Sequence, residues 1–363
     1  MVKIGLAGLG KMGVSHFAIV NSHPEAEVSV CDASATVLDV LGKYTGAPTF
    51  RDYDAMLEEA GLDAVIVATP SRLHAPMVRA ALERGLHVFC EKPFTLDWRE
   101  SEALAALAAA KGRVGQVGYH YRYVGAFREM KRLVDLGAIG EVTHVLAEAY
   151  GPVVLKPKGA TWRTDRVEGG GCLYDYAAHP IDLINWCFGL PAQVTGTILN
   201  AIFSADTDDE VYATFGYPGG LSVHLSVNWS DESYRKMSTK ITLTGTRGRI
   251  MADRQEVQAY LRDGAAAPEG YREGWNVKYT TELTEGVRFY LRGEEYSAQI
   301  DDFVAAVAGA PARSPNDFAS AAMTDRTIAL LLDDAAREKA AAPETVRQAP
   351  APRRGWFGRG AAR

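Results

Sequence analysis

The sequence predicts two domains: residues 1–123 as an α/β domain on a doubly wound parallel sheet, and residues 124–340 as an α+β domain with a largely antiparallel, open sheet. Three observations lead there. Short β-rich runs alternate with helical patterns as far as Tyr123, and parallel strands require such helical crossovers. The first run ends in Gly8-Leu9-Gly10-Lys11-Met12-Gly13, a glycine turn that opens a helix. Past residue 124 the β runs lengthen, alternate apolar with polar residues and meet at hairpin turns. A chain of 363 residues also exceeds the roughly 150 that one domain commonly takes.

In chain order, Lys3 to Ala7 reads as a strand and Lys11 to Ser22 as a helix, with Glu27 to Cys31 and Ala35 to Leu41 as the next such pair. Helical Asp54 to Ala60 precedes the apolar run Asp63 to Ala68, and helical Ala75 to Arg84 precedes Leu86 to Cys90. Apolar runs of this kind suit strands covered on both faces. Glu100 to Lys111 adds an alanine-rich helix, and Ala126 to Leu136 another. Six β runs then follow: Glu141 to Tyr150, Gln193 to Phe203, Glu210 to Tyr217, Leu221 to Asn228, Lys240 to Thr244 and Arg249 to Ala252. Pro218-Gly219-Gly220 and Gly245-Thr246-Arg247-Gly248 supply turns between two pairs of them. Gly169-Gly170-Gly171, with a helix-like continuation to Phe188, interrupts the series, and helical patterns at Ser297 to Ala308 and Phe318 to Arg337 close the domain. Residues 341–363 lack apolar periodicity and read as a disordered tail. Trp356 and Phe357 among its arginines give a weaker reading as a membrane-surface or partner contact.

Composition narrows the function. With 47% hydrophobic and 23% charged residues the chain has the balance of a globular protein. A net charge of -6 argues against nucleic acid as a partner. The start of the chain shows no signal-peptide pattern, and no apolar stretch approaches the roughly 18 residues of a membrane span, so a cytoplasmic protein is expected. Cys31, Cys90, Cys172 and Cys187 stand singly and read as free thiols.

The chemistry concentrates in four places. In the glycine turn, Gly8 permits a tight bend, Gly10 lets backbone approach a pyrophosphate and Gly13 lets helix and strand pack closely, with Lys11 and Met12 at the helix start. Asp32 ends the second strand nineteen residues after Gly13, where a carboxylate takes the ribose hydroxyls of NAD. Ala33 and Ser34 offer no arginine for a 2′-phosphate, which leaves NADP as the alternative. Thr69-Pro70-Ser71 and Glu91-Lys92-Pro93 follow strands at the edge where such sheets bind ligands. Lys92 there can stabilise developing alkoxide charge, although a lone loop lysine is ordinarily only surface. In the fourth place, Asp175, His179 and Asp182 share one face if the segment is helical throughout. Pro180 qualifies that, and Asp175 can instead precede the regular helix. A histidine beside a carboxylate suits proton transfer near neutral pH. No zinc ligand set at structural spacing accompanies it, so no metal is expected.

On these residues the sequence resembles the Gfo/Idh/MocA oxidoreductase family. Gly8 to Gly13 with His16, Thr69-Pro70 with His74, Glu91-Lys92-Pro93, and the glycine triplet through His179 and Asp182 occur in the family's order. The resemblance runs over about residues 1–340 and implies a Rossmann domain, a second domain whose open sheet often makes a homo-oligomer (dimer or tetramer), and a substrate cleft between them. It implies that Lys92 contacts the reacting oxygen, Asp175 assists and His179 is the general base, with Thr69, Pro70, His74 and Glu91 added to the cofactor-binding residues and Lys92-Pro93 a cis peptide. The implied activity is NAD-dependent oxidation of a secondary hydroxyl of a sugar or polyol. A sensing protein that keeps the fold without turnover is the alternative. Tyr119, Arg122, Trp162 and Arg163 are candidates for lining the cleft. His120 stands where relatives commonly have asparagine, and the aromatic, charged stretch Gly274 to Tyr296 finds no assignment between substrate and interface.

Overall fold

The computed structural model describes residues 1–155, 162–264, 267–310 and 315–341. Of the expected tail, 342–363 lie outside the described residues.

Strands β1 (Val2–Ala7), β2 (Ala26–Cys31), β3 (Thr49–Phe50), β4 (Ala64–Val67), β5 (His87–Cys90) and β6 (Gly115–Val117) form one parallel sheet in the order β3-β2-β1-β4-β5-β6. Its helices are α1 (Lys11–Asn21), α2 (Ala35–Thr45), α3 (Tyr53–Glu59), α4 (His74–Glu83) and α5 (Trp98–Ala110). Local chemistry sets their starts. Asp52 Oδ1 accepts the Ala55 amide at 2.8 Å and Asp97 Oδ1 accepts that of Arg99 at 3.0 Å, each an N-cap. Every residue of β4 is buried, as a strand between two helical layers must be. The strand order reverses beside β1, so its carboxyl edge opens at the crevice between β1 and β4.

The second sheet packs on α6 (Gly125–Asp135), α7 (Ala178–Phe188) and α10 (Phe318–Ala341). Its strands are β7 (Val142–Tyr150), β8 (Gln193–Asn200), β9 (Glu210–Gly216), β10 (Ser222–Asn228), β11 (Ser238–Gly245), β12 (Gly248–Ala252), β13 (Glu256–Leu261) and β14 (Gly274–Tyr279). The order is β14-β13-β12-β11-β7-β10-β9-β8, antiparallel apart from the β7–β10 pair. Burial alternates along β9 and β10 and along β7 from His144 onward, with Val145, Ala147 and Ala149 inward on β7. The opposite face is open, and Tyr260 and Trp275 stand side by side on it with Val277 and Tyr279.

Helix α8 (Thr280–Leu283) leads toward α9 (Glu294–Val307), which does not stay with the second sheet. Ile300, Phe303 and Val304 join the core of β1, β2 and α1, and Phe303 meets Phe89 at 5.8 Å. Within the stretch expected as one domain, 124–340, this helix therefore packs on the core of the first sheet. Periodicity identifies a helix with an apolar face, but not which sheet receives it.

Candidate active site

The carboxyl edge of the first sheet carries the predicted cofactor residues. Gly8 adopts φ +92°, and a Cβ there would meet the backbone of Ala68 and Thr69. A Cβ on Gly13 would lie 1.8 Å from the Gly8 carbonyl oxygen, which excludes any side chain. Beside Gly10 the same construction meets nothing within 4 Å, and no side chain caps α1. The turn thus leaves backbone facing open space at a helix N-terminus, as an anionic group needs. Asp32 is fixed at its edge: Oδ2 accepts the Leu9 amide at 2.6 Å and Oδ1 that of Ser34 at 2.8 Å. A carboxylate has about four acceptor positions, so it retains room for two ribose hydroxyls. These residues fit NAD. Lys11 is exposed and Met12 half-buried at the start of α1.

His74 and Glu91 are buried, and their side chains are turned to the protein rather than toward a cofactor. His74 Nδ1 lies 2.8 Å from the Pro93 carbonyl oxygen and Nε2 3.0 Å from that of Thr69, tying together the loops after β4 and β5. Glu91 Oε1 meets His16 Nε2 at 2.6 Å, while Oε2 accepts the Lys92 amide at 3.2 Å. Burial opposes ionisation of Glu91, but His16 outweighs it and holds the carboxyl below its usual value. Both residues brace the backbone around Lys92, and Lys92-Pro93 is cis.

Opposite that loop, Gly171 approaches Asp208, whose Oδ2 accepts the Leu173 amide at 2.6 Å. The chain then makes one π-helical turn, Leu173–Ala177, before α7 begins at Ala178. The extra residue in that turn sets Asp175 apart from the regular helix. Lys92 Nζ donates to Asp175 Oδ1 at 2.9 Å and to its carbonyl oxygen at 3.0 Å, and Arg163 Nε donates to Oδ2 at 2.7 Å. Burial would raise the Asp175 pKa, but the two cations overcome it and hold the group at about 2.

His179, on the first turn of α7, is 5% exposed and its Nδ1 has no hydrogen-bond partner. Asp175, four residues earlier, is turned to Lys92 and Arg163 rather than to the imidazole. Burial first, then Lys92 and Arg254, push the His179 pKa well below the usual value. The ring is therefore neutral at neutral pH, the form that accepts a proton. Its walls are aromatic: Tyr121 at 4.6 Å, His120 at 5.1 Å and Tyr119 edge-on at 6.4 Å. Tyr296 from α9 stacks on His120 at 4.4 Å, with its hydroxyl 3.2 Å from Nε2. Arg254, in the β12–β13 turn, pairs with Glu295 and lies over the Tyr121 ring. Sequence reasoning singled out neither Arg254 nor Tyr296, since neither sits in a motif.

Arg122 and Asp182 stand outside this group. Arg122 is 1% exposed; its Nε donates to Asp182 Oδ2 at 2.8 Å, and Nη1 donates to the Pro315 carbonyl and Ser320. That corrects the placement of Arg122 in the cleft: the cation is consumed by a buried pair. Trp162 is exposed, with the Arg163 guanidinium 4.8 Å from its ring centroid. Among the described residues no cluster of histidine, cysteine and carboxylate side chains is arranged to hold a metal, and none of the helices is long and apolar enough to cross a membrane.

Residues 2–119 match the family model described as an oxidoreductase family with an NAD-binding Rossmann fold, and residues 127–251 match the GFO/IDH/MocA C-terminal domain. The chain belongs to the Gfo/Idh/MocA oxidoreductase family. As a member it is an oxidoreductase whose Rossmann domain binds NAD. An inositol 2-dehydrogenase of Rhizobium meliloti (strain 1021) is 27% identical over 324 residues, 86% of this chain and 95% of that one. A scyllo-inositol 2-dehydrogenase (NADP(+)) of Bacillus subtilis (strain 168) is 30% identical over 219 residues, 60% of each chain. Among solved structures, levoglucosan dehydrogenase in complex with NADH and levoglucosan shares the fold, with a TM-score of 0.80 at 23% identity over 93% of this chain and 98% of that one.

Proposed function

We propose that this family member oxidises a secondary hydroxyl of a cyclic polyol or sugar, or reduces the corresponding ketone. The observation that supports this most is the meeting of Lys92, from the first domain, with Asp175, four residues before His179 in the second. NAD, when bound, supplies the hydride acceptor or donor; Gly8 to Gly13 would hold its pyrophosphate and Asp32 its ribose. His179 takes the hydroxyl proton, Lys92 stabilises the negative charge that develops on oxygen, and Asp175 with Arg163 keeps the amine aimed. The aromatic walls exclude water. Relatives that act on inositol support the substrate class.

The open face of the second sheet, with Trp275, Val277 and Tyr279 exposed, suits a homo-oligomer (dimer or tetramer). The four free cysteines suit a reducing cytoplasm.

Screening inositols, aldoses and sugar nucleotides with NAD and with NADP tests the activity: reduction of cofactor by at least one polyol or sugar is expected, and none by any would overturn the reading. With the substrate so found, Lys92→Ala and His179→Ala should each lower kcat at least about tenfold while NAD still binds. Near-normal turnover in either variant would remove that residue from its role.

A further inference from the structure

Helix α10 lies behind the loop that carries Lys92, and its buried Asp325 is joined to that loop by a short chain of oxygens. Asp325 Oδ2 accepts the Thr95 amide at 3.1 Å and lies 2.6 Å from Ser101 Oγ. Ser101 Oγ is 2.7 Å from Thr95 Oγ1, which is 2.6 Å from the Asp97 carbonyl oxygen. A carbonyl oxygen only accepts, so Thr95 spends its single hydroxyl hydrogen on Asp97. Ser101 must then donate to Thr95, which leaves its oxygen an acceptor toward Asp325. Three oxygen–oxygen contacts need three hydrogens, and the two hydroxyls supply two.

We propose that Asp325 is a neutral carboxylic acid whose proton completes this chain, pinning the loop after β5 to α10 and making Asp325 a positioning residue for Lys92. Its other oxygen, Oδ1, is buried without a hydrogen-bond partner, which costs far less for a neutral carbonyl than for a shared negative charge. The ionisable groups facing it agree. Asp182 on α7 presents a negative charge, tied to Arg122, while Tyr119, Tyr174 on the π turn and Cys90 at the end of β5 are all pushed by burial toward their neutral forms. Burial, with Asp182 acting in the same direction, outweighs the hydrogen bonds of Ser101 and of the Thr95 and Phe94 amides and raises the Asp325 pKa to about 7.

The sign follows from that rise above the ordinary 3.8: the proton on Asp325 contributes stability at low pH that is lost as pH rises through about 7. Ionised Asp325 takes the Ser101 hydrogen, the Ser101–Thr95 contact loses its own, and the Lys92 loop loosens. The positioning role rests on the reading of Lys92 given above; the protonation state does not.

Infrared difference spectra of wild type minus Asp325→Asn at about pH 6 should show the carbonyl stretch of a protonated carboxylic acid; its absence would overturn the proposal whatever the reaction proves to be. Asn keeps a donor toward Ser101 but cannot accept the Thr95 amide at the same position, so it should melt below wild type at about pH 6 while its melting temperature falls less between about pH 6 and 9. Asp325→Ala should lower kcat at least about tenfold with little change in NAD affinity. An Asn variant whose melting temperature falls between about pH 6 and 9 as steeply as that of wild type would show that the proton is not on Asp325 and overturn the proposal.

Discussion

Arginines near a substrate cleft invite a binding role, but the surroundings of Arg122 decide otherwise. Both it and Asp182 are 1% exposed, and three guanidinium nitrogens are engaged by the protein. Removing one partner of such a pair leaves the other charge buried and uncompensated, which costs about 3–5 kcal/mol. Arg122→Ala should therefore lower unfolding stability by that order in urea titration, with the KM of surviving enzyme little altered; a raised KM at wild-type stability would restore it to the substrate. Lys92, by contrast, shows what the sequence made legible. The Glu91-Lys92-Pro93 motif identifies it, whereas Arg163, which shares Asp175 with it, reads from sequence as a substrate contact and Tyr296 reads as nothing in particular. The Tyr296–His120 contact spans 176 residues, and neither contact leaves a periodic trace.

At the scale of elements, the glycine turn separates two duties that the motif merges. Gly13 is excluded from bearing a side chain by the Gly8 carbonyl, whereas Gly10 has φ -66° and open space beside it. Gly13→Ala should thus disrupt the β1–α1 turn and lower the melting temperature of the NAD-free protein. Gly10→Ala should melt like wild type yet bind NAD at least about tenfold more weakly in titration, because the added methyl occupies the approach to the pyrophosphate. Equal melting temperatures with unimpaired binding in both would refute the assignment. Most long strands and helices were readable from periodicity, but β3 and β6, at two and three residues, are too short to alternate, and the six-residue β13 and β14 were not read as strands either. The π turn was anticipated only as the chance that Asp175 precedes the regular helix.

The whole molecule is organised by two sheets of opposite habit, one covered on both faces and the other covered on one. Along the uncovered face β13 and β14 present Tyr260 and Trp275 as neighbours at 5.4 Å. If copies of the chain meet there, Trp275→Glu should shift sedimentation to a smaller species while the variant still binds NAD. An unchanged sedimentation coefficient would move the interface elsewhere. The stretch from Gly274 to Tyr296, unassigned by sequence, divides between two tasks: β14 builds the open face, and Tyr296 reaches the active site.

Helix α9 gives that division a practical edge. It carries Tyr296 against His120 at one end and Phe303 into the first sheet at the other. A chimera that grafts residues 1–123 onto a relative's remaining chain would sever this helix from the floor on which it rests, and substrate choice would drift along with cofactor preference. The portable cassette is discontinuous: the nucleotide half travels intact only when 294–307 goes with it.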